Sequence, residues 1–318
     1  MISGETWQLV RDLFEYAPVD AKRLKGFAMP IESWRVIKSA EIVNRFRALR
    51  TPDTPLVGRE QEADLMIGCW EKAKAGNGRV LLISGEPGIG KSRMVQTLLD
   101  RLKDKPHVEV RVFCAPHRQG SALYPVIEQL QRAAGIEHDD TSGQKLNKLE
   151  ATLSRAAVNL DEAAPLIAEL LSISTGGRYT PLDLSPQKRR EKTLQALMAQ
   201  LEGLARQPTL MVFEDVHWID PTSLELLSLV VDRAPNLPLL LAVTFRPEFT
   251  PPWLGRPYVE HVRLDRLPRG GSAEIIANLT RDRTLSSSTV EEIIDRTEGV
   301  PLFIEELTPD LQSVRKRR

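Results

Sequence analysis

Three short clusters in this chain have residue types and spacings suited to chemistry on a phosphate. The first is Gly85-Glu86-Pro87-Gly88-Ile89-Gly90-Lys91-Ser92, which fits the pattern G-x-x-x-x-G-K-[ST]. Glycines at these positions let the backbone curl until successive N–H groups point inward at a β-phosphate. Lys91 supplies a compact positive charge toward the β- and γ-phosphates, and the Ser92 hydroxyl suits a Mg²⁺ ion. The second cluster is Glu214-Asp215, two acids directly after the apolar run Leu210–Phe213. One can complete a Mg²⁺ shell while the other orients or deprotonates a water. The third is Arg246, where a cation just past the apolar run Leu239–Phe245 can reach a γ-phosphate. These residues predict binding of a nucleoside triphosphate by Gly85–Ser92 with the adjoining Arg93. Mg²⁺ is expected on Ser92 and one or both of Glu214 and Asp215, and the catalytic set is Lys91, Glu214, Asp215 and Arg246.

Such groups act only if strands and helices deliver them to one edge. Val80–Ile83 is a short apolar run ending in glycine, as a buried parallel strand requires. After the loop, Met94, Val95, Leu98, Leu99 and Leu102 line one side of a helix from Lys91 to about Lys103. The dipole of that helix adds to the anion site. Val108–Cys114, Thr209–Phe213, Leu239–Phe245 and His261–Leu267 supply four more strands. Helices are expected at Glu60 to about Gly76, Tyr124–Ala134, Lys145–Asn159, Ala163–Leu171, Gln187–Arg206, Ser272–Leu279 and Thr289–Arg296. Strands alternating with helices make an α/β protein with a central parallel sheet between helical layers.

Other signals are decoys. Asn147-Lys148-Leu149-Glu150 imitates a guanine-reading motif but falls inside an amphipathic helix, so it reads as a solvated face. Cys114-Ala115-Pro116-His117 has metal-like spacing without a second Cys/His pair. Asp220-Pro221-Thr222-Ser223 is a helix start with Asp220 as N-cap, and His217 reads as a packing residue.

The 318 residues carry 43 Lys+Arg against 43 Asp+Glu, so no global field favours nucleic acid or a membrane surface. Two cysteines, Cys69 and Cys114, build no disulfide framework. No apolar run approaches a membrane span and no signal-peptide layout is present, which points to the cytoplasm. Before the connector Arg50–Pro55, Glu5–Tyr16 has helical spacing, Leu24–Phe27 reads as a turn and Ser33–Ile37 as a strand.

Longer stretches carry a family resemblance. "PLVGREQEADL" (Pro55–Leu65), "CAPHRQGSALYPVIEQL" (Cys114–Leu130), "VFEDVHWIDP" (Val212–Pro221), "TFRPE" (Thr244–Glu248) and "EGVPLFIEEL" (Glu298–Leu307) resemble P-loop signal-transduction ATPases near the AAA+ proteins, in the branch linked to bacterial class III cyclases. "LKGFAMPIESWRVI" (Leu24–Ile37) is similar to the closing strands of class III cyclase domains, without the upstream metal-binding residues, so cyclase activity is not expected. The resemblance implies a three-layer α/β/α P-loop fold with ATP or ADP as ligand. It also implies a segment beside the adenine at Val57, Gly58 and Arg59, and Pro301 against the adenine ring. The family commonly places Asp first and Glu second at the acidic strand; here the order is reversed, so the division of labour between Glu214 and Asp215 stays open. The implied organisation is a cyclase remnant at 1–40, a linker at 41–55, the ATPase core at 56–270, a helical lid at 271–308 and a basic tail at 309–318, clipped at both ends. The expected function is an ATP-binding, slowly hydrolysing signalling switch, working as a homo-oligomer or with a partner protein. The alternatives are a non-hydrolysing nucleotide-gated scaffold and, ranked last for want of a basic recognition helix, a DNA-binding regulator.

Overall fold

The computed structural model describes residues 1–4, 6, 7, 14–22, 31–39, 55–280 and 285–315. They form two compact units, one from the chain up to Pro55 with Ala277–Arg281 and one from Leu56–Ile276 with the chain from Asp282 onward.

The first unit holds three antiparallel strands, β1 (Ile2–Ser3), β2 (Phe14–Lys22) and β3 (Ile31–Ser39), with β3 in the middle. Trp34 of β3 pairs with Ile2 on one side and Pro18 on the other, and its ring stacks on Trp7 at 4.4 Å. The strand expected at Ser33–Ile37 lies within β3. The helix expected over Glu5–Tyr16 is corrected at its end: Phe14 and Tyr16 pair with Ser39 and Val36 in a strand. Pairing along β3 overrides the local helical spacing, and Pro18 is tolerated because β2 is an edge strand. Residues 8–13, the turn at Leu24–Phe27 and the connector up to Thr54 lie outside the described residues.

The second unit begins with α1 (Glu60–Lys74), whose first turn carries Glu60 and Glu62 and whose last carries Lys72 and Lys74, both matched to the helix dipole. β4 (Arg79–Gly85) runs into the glycine-rich loop and then α2 (Lys91–Leu102). β5 (Val108–Phe113) precedes four helices, α3 (Tyr124–Ala133), α4 (Ser142–Arg155), α5 (Leu160–Leu170) and α6 (Pro186–Leu204). Next come β6 (Thr209–Glu214), α7 (Pro221–Arg233), β7 (Leu239–Phe245) and β8 (Val259–Leu264). Three helices follow, α8 (Arg269–Thr280), α9 (Ser287–Thr297) and α10 (Pro301–Arg315).

The sheet is wholly parallel in the order β5-β6-β7-β4-β8. Because successive side chains point to opposite faces, each strand feeds two cores. Leu81, Ile83, Leu210, Val212, Leu240 and Ala242 pack with α1 and α2. Val80, Leu82, Met211, Phe213, Leu241 and Val243 pack with α7 and Trp253. Helices α3–α6 enclose a separate apolar cluster around Leu130, Leu149, Leu153 and Ile167. This is the expected α/β/α arrangement.

Three expectations need correction. β8 is Val259–Leu264 rather than His261–Leu267, because its ladder to β4 ends where Gly85 pairs with Leu264. The segment expected as a basic tail at 309–318 is helical as far as Arg315, since α10 continues into it past Thr308, whose buried hydroxyl donates to Ile304 O at 2.7 Å. The motif at Asn147–Glu150 is more than a solvated face. Arg178 donates to Asn147 Oδ1 and Glu150 Oε2 at 2.9 and 2.6 Å, and Tyr179 to Glu150 at 2.8 Å, pinning the loop before α6.

Candidate nucleotide site

The glycine-rich loop leaves β4 at its C-terminal end and curls into α2. Gly88 and Gly90 have φ of 76° and 107°, conformations that disfavour any side chain. At Gly85 a Cβ would stand 2.7 Å from Ile89 Cγ2 and 2.9 Å from Leu264 O, so that position admits only glycine without displacing its neighbours. The Lys91 ammonium donates to Gly85 O at 2.7 Å and Glu86 O at 2.9 Å, holding the curl from inside. Burial pushes its pKa down, opposed by Asp215. Ser92 and Arg93 occupy the first turn of α2.

β6 delivers the two acids to the same edge, and the backbone separates their roles. Glu214 is in the strand, on the sheet face toward α2, almost fully buried. It pairs with Arg111 of β5 at 2.7 Å and accepts a hydrogen bond from Ser92. Burial raises its pKa, with Arg111 as the main opposing influence. Asp215 follows at φ 60°, a left-handed turn that Asp tolerates, and this swings its side chain off the strand. Its N–H donates to Thr244 Oγ1 of β7 at 2.9 Å. Burial raises its pKa too, with Lys91 and Arg246 as the opposing charges. Arg246 is two residues beyond Thr244, its guanidinium carbon 4.7 Å above the Trp218 ring. His217 packs on Trp218 at 4.2 Å, and burial lowers its pKa to about 4. Asp220 caps α7 as expected, accepting from Thr222 N and Ser223 N, and also from Leu123 N across the molecule.

The flanking segments converge on the loop through Leu267. A Cβ on Gly58 would lie 3.5 Å from Leu267 Cδ2, and Leu267 N donates to Gly299 O at 2.9 Å. Arg59 reaches Glu62 at 3.0 Å and also Asp265 O, while Val57 is buried. Pro301 starts α10, and the N–H of Leu302 after it donates to Gly88 O at 3.2 Å. Gly58 thus lies beside Leu267, Leu267 is bonded to Gly299, and the start of α10 after Pro301 reaches the loop at Gly88. Arg266 joins Glu86 of the loop, at 3.1 Å, to Glu298 at the end of α9.

Sequence reasoning missed Arg111, Thr244 as a hydrogen-bond partner, and Arg266. Arg111 left one trace, a cation in a strand otherwise alternating valines with other residues. Among the described residues no cluster of three or more His, Cys, Asp or Glu could hold a metal, and Cys114 and His117 form no such site. Mg²⁺ on a phosphate needs few protein ligands, so the Ser92–Glu214 contact beside Asp215 fits such an ion. Among the described residues no helix is long and apolar enough to cross a membrane.

A phosphate loop between a parallel strand and a helix, with paired acids at the same edge on the next strand but one, defines the P-loop NTPase class. The AAA ATPase domain family model matches residues 55–242, and the chain belongs to that family. Over 314 residues the chain is 31% identical to an uncharacterized protein of Rhizobium meliloti (strain 1021), covering 96% of this chain but only 30% of that protein's length. Among solved structures, Drosophila ORC bound to DNA aligns at TM-score 0.50 and 13% identity, over 84% of this chain and 59% of that one. A Thermotoga maritima RuvB variant aligns at TM-score 0.45 and 16% identity, over 82% and 64%.

Proposed function

We propose that this chain is an ATP-binding and slowly ATP-hydrolysing switch module. The observation that supports it most is the split of the paired acids. Glu214 is turned inward to Ser92 at the start of α2, and Asp215 is turned toward Lys91 and Arg246. On this reading the loop amides of Gly85–Ser92 and the Lys91 ammonium hold the β- and γ-phosphates. Ser92 and Glu214 would hold Mg²⁺, which supplies charge neutralisation of the phosphates when bound. Asp215 orients the attacking water, held by the Thr244 hydroxyl on its backbone, and Arg246 reads the γ-phosphate. Val57, Gly58, Arg59 and Pro301 frame the base, with adenine favoured over guanine by the resemblance and by the structural role of Asn147–Glu150.

The signalling part of the proposal draws on the contact between lid and loop. Gly88 O accepts from Leu302 N, and Arg266 joins Glu86 to Glu298, so a change at the phosphates is felt at α9 and α10. The same contacts favour, as a second reading, a nucleotide-gated scaffold that binds without turnover. We infer a cyclase-linked setting from the Leu24–Ile37 resemblance, and a cytoplasmic module that acts as a homo-oligomer or with a protein partner.

Lys91→Ala should weaken ATP binding at least about 100-fold, since it removes both the charge and the ammonium that bridges Gly85 O and Glu86 O. Titration with a fluorescent ATP analogue measures this, and unchanged affinity in the variant refutes the site. Single-turnover hydrolysis with Mg²⁺ then separates the two readings.

A further inference from the structure

His217 sits beside this site with a side chain only 3% exposed, and neither ring nitrogen has a hydrogen-bond partner. An apolar ring would fill the same space against Trp218 without burying two unpaired polar atoms. The acceptor facing the ring is Asp215 Oδ1, 4.0 Å from Nδ1, just beyond hydrogen-bond reach. Around the ring stand Arg246, Glu248 and Lys91 as well as Asp215. Gln119 Nε2 donates to the His217 carbonyl at 3.4 Å, and Ile219 N to Val216 O at 3.0 Å, so the 3₁₀ turn Val216–Trp218 is held on both sides.

We propose that His217 is a positioning residue for hydrolysis: its Nδ1–H donates to the Asp215 carboxylate and aims it at the attacking water. The proposal rests on the hydrolytic reading above. In that step the water oxygen bonds to the γ-phosphorus and the bond to ADP breaks, its electron pair leaving on ADP. The water's proton is taken at the Asp215 carboxylate. Catalytic hydrogen bonds are commonly long before substrate is in place and tighten with it. Closing the gap takes about 1 Å, which a small turn of the Asp215 side chain supplies because that side chain is 40% exposed while His217 is packed. The Trp218 ring that His217 packs on also carries Arg246, so one aromatic shelf sets the direction of both groups.

The test is single-turnover hydrolysis and ATP affinity for the full chain and for His217→Phe, His217→Leu, His217→Asn and His217→Gln. An asparagine amide can stand where Nδ1 is, whereas a glutamine amide reaches toward the place of Nε2. The Phe and Leu variants should turn over about 10- to 100-fold more slowly with ATP affinity within about twofold of the parent. Asn should recover most of the rate and Gln should not. Equal rates in Phe, Leu and parent overturn the role of His217, as does an equal loss in all four variants. A parent protein that binds ATP and never turns it over refutes instead the hydrolytic reading on which the role stands.

Discussion

Arg111→Met isolates what the buried pair with Glu214 contributes. Arg111 and Glu214 side chains are 9% and 3% exposed and 2.7 Å apart, so neither has water to fall back on. Methionine fills much of the guanidinium's stem but leaves a carboxylate buried with the Ser92 hydroxyl as its remaining partner. Breaking a buried pair from one side costs about 3–5 kcal/mol, because the surviving charge stays desolvated. For a unit of this size that lowers the melting temperature by roughly 6–20 °C. The pH dependence has a definite sign. Burial already holds Glu214 above the ordinary carboxylate range and Arg111 opposes it. Without Arg111 the folded-state value climbs further, while the unfolded value stays near about 4.3. A carboxyl whose folded pKa is raised loses stability as pH rises from its unfolded value through its folded one. The deficit of Arg111→Met should therefore be small near pH 4 and full at neutral pH. Thermal melts from pH 4 to 8 measure it, and Arg111→Met with Glu214→Gln should recover much of the loss. A deficit below about 1 kcal/mol at pH 7, or one that does not change with pH, refutes the claim that Arg111 compensates this charge.

Thr244→Val should cost about 1–3 kcal/mol, since a fully buried hydroxyl is the acceptor for Asp215 N. It should also slow single-turnover hydrolysis more than it weakens ATP binding; denaturant melts and rapid-quench rates check the two parts. Gly299→Ala should cost at least about 1–3 kcal/mol, because φ is 76° and the new Cβ would meet Leu267 O at 2.3 Å. Hydrogen exchange should show the loss concentrated in α9 and α10, where the displaced Leu267–Gly299 hydrogen bond anchors the lid.

The core of the fold was legible because its strands are short, continuous apolar runs and its helices show regular apolar spacing. β7 over Leu239–Phe245 matches its expected bounds, being buried on both faces throughout. β8 drifted by several residues because it is an edge strand with only Val262 and Leu264 buried, so pattern says little about where it stops. The far end of the helix expected over Glu5–Tyr16 differs for another reason. Phe14 has helix-like spacing with Trp7, and the pairing of Phe14 and Tyr16 with β3 decides against it. The reading of His217 as a packing residue had no access to the two unpaired nitrogens of its ring, which the structure places against Trp218.

By itself the chain determined that a phosphate loop, an acidic strand end and a strand-end arginine exist, because glycine conformations, an ammonium and paired carboxylates are written at local spacings. Only the tertiary structure decided which acid faces which way. Glu214 and Asp215 are neighbours in sequence, but a left-handed φ of 60° at Asp215 parts them, and Arg111, 103 residues before Glu214, selects the one that goes inward. The same holds for Arg266, which meets Glu86 across 180 residues. Such pairings depend on strand order and register, which set distances in space that no local spacing along the chain encodes.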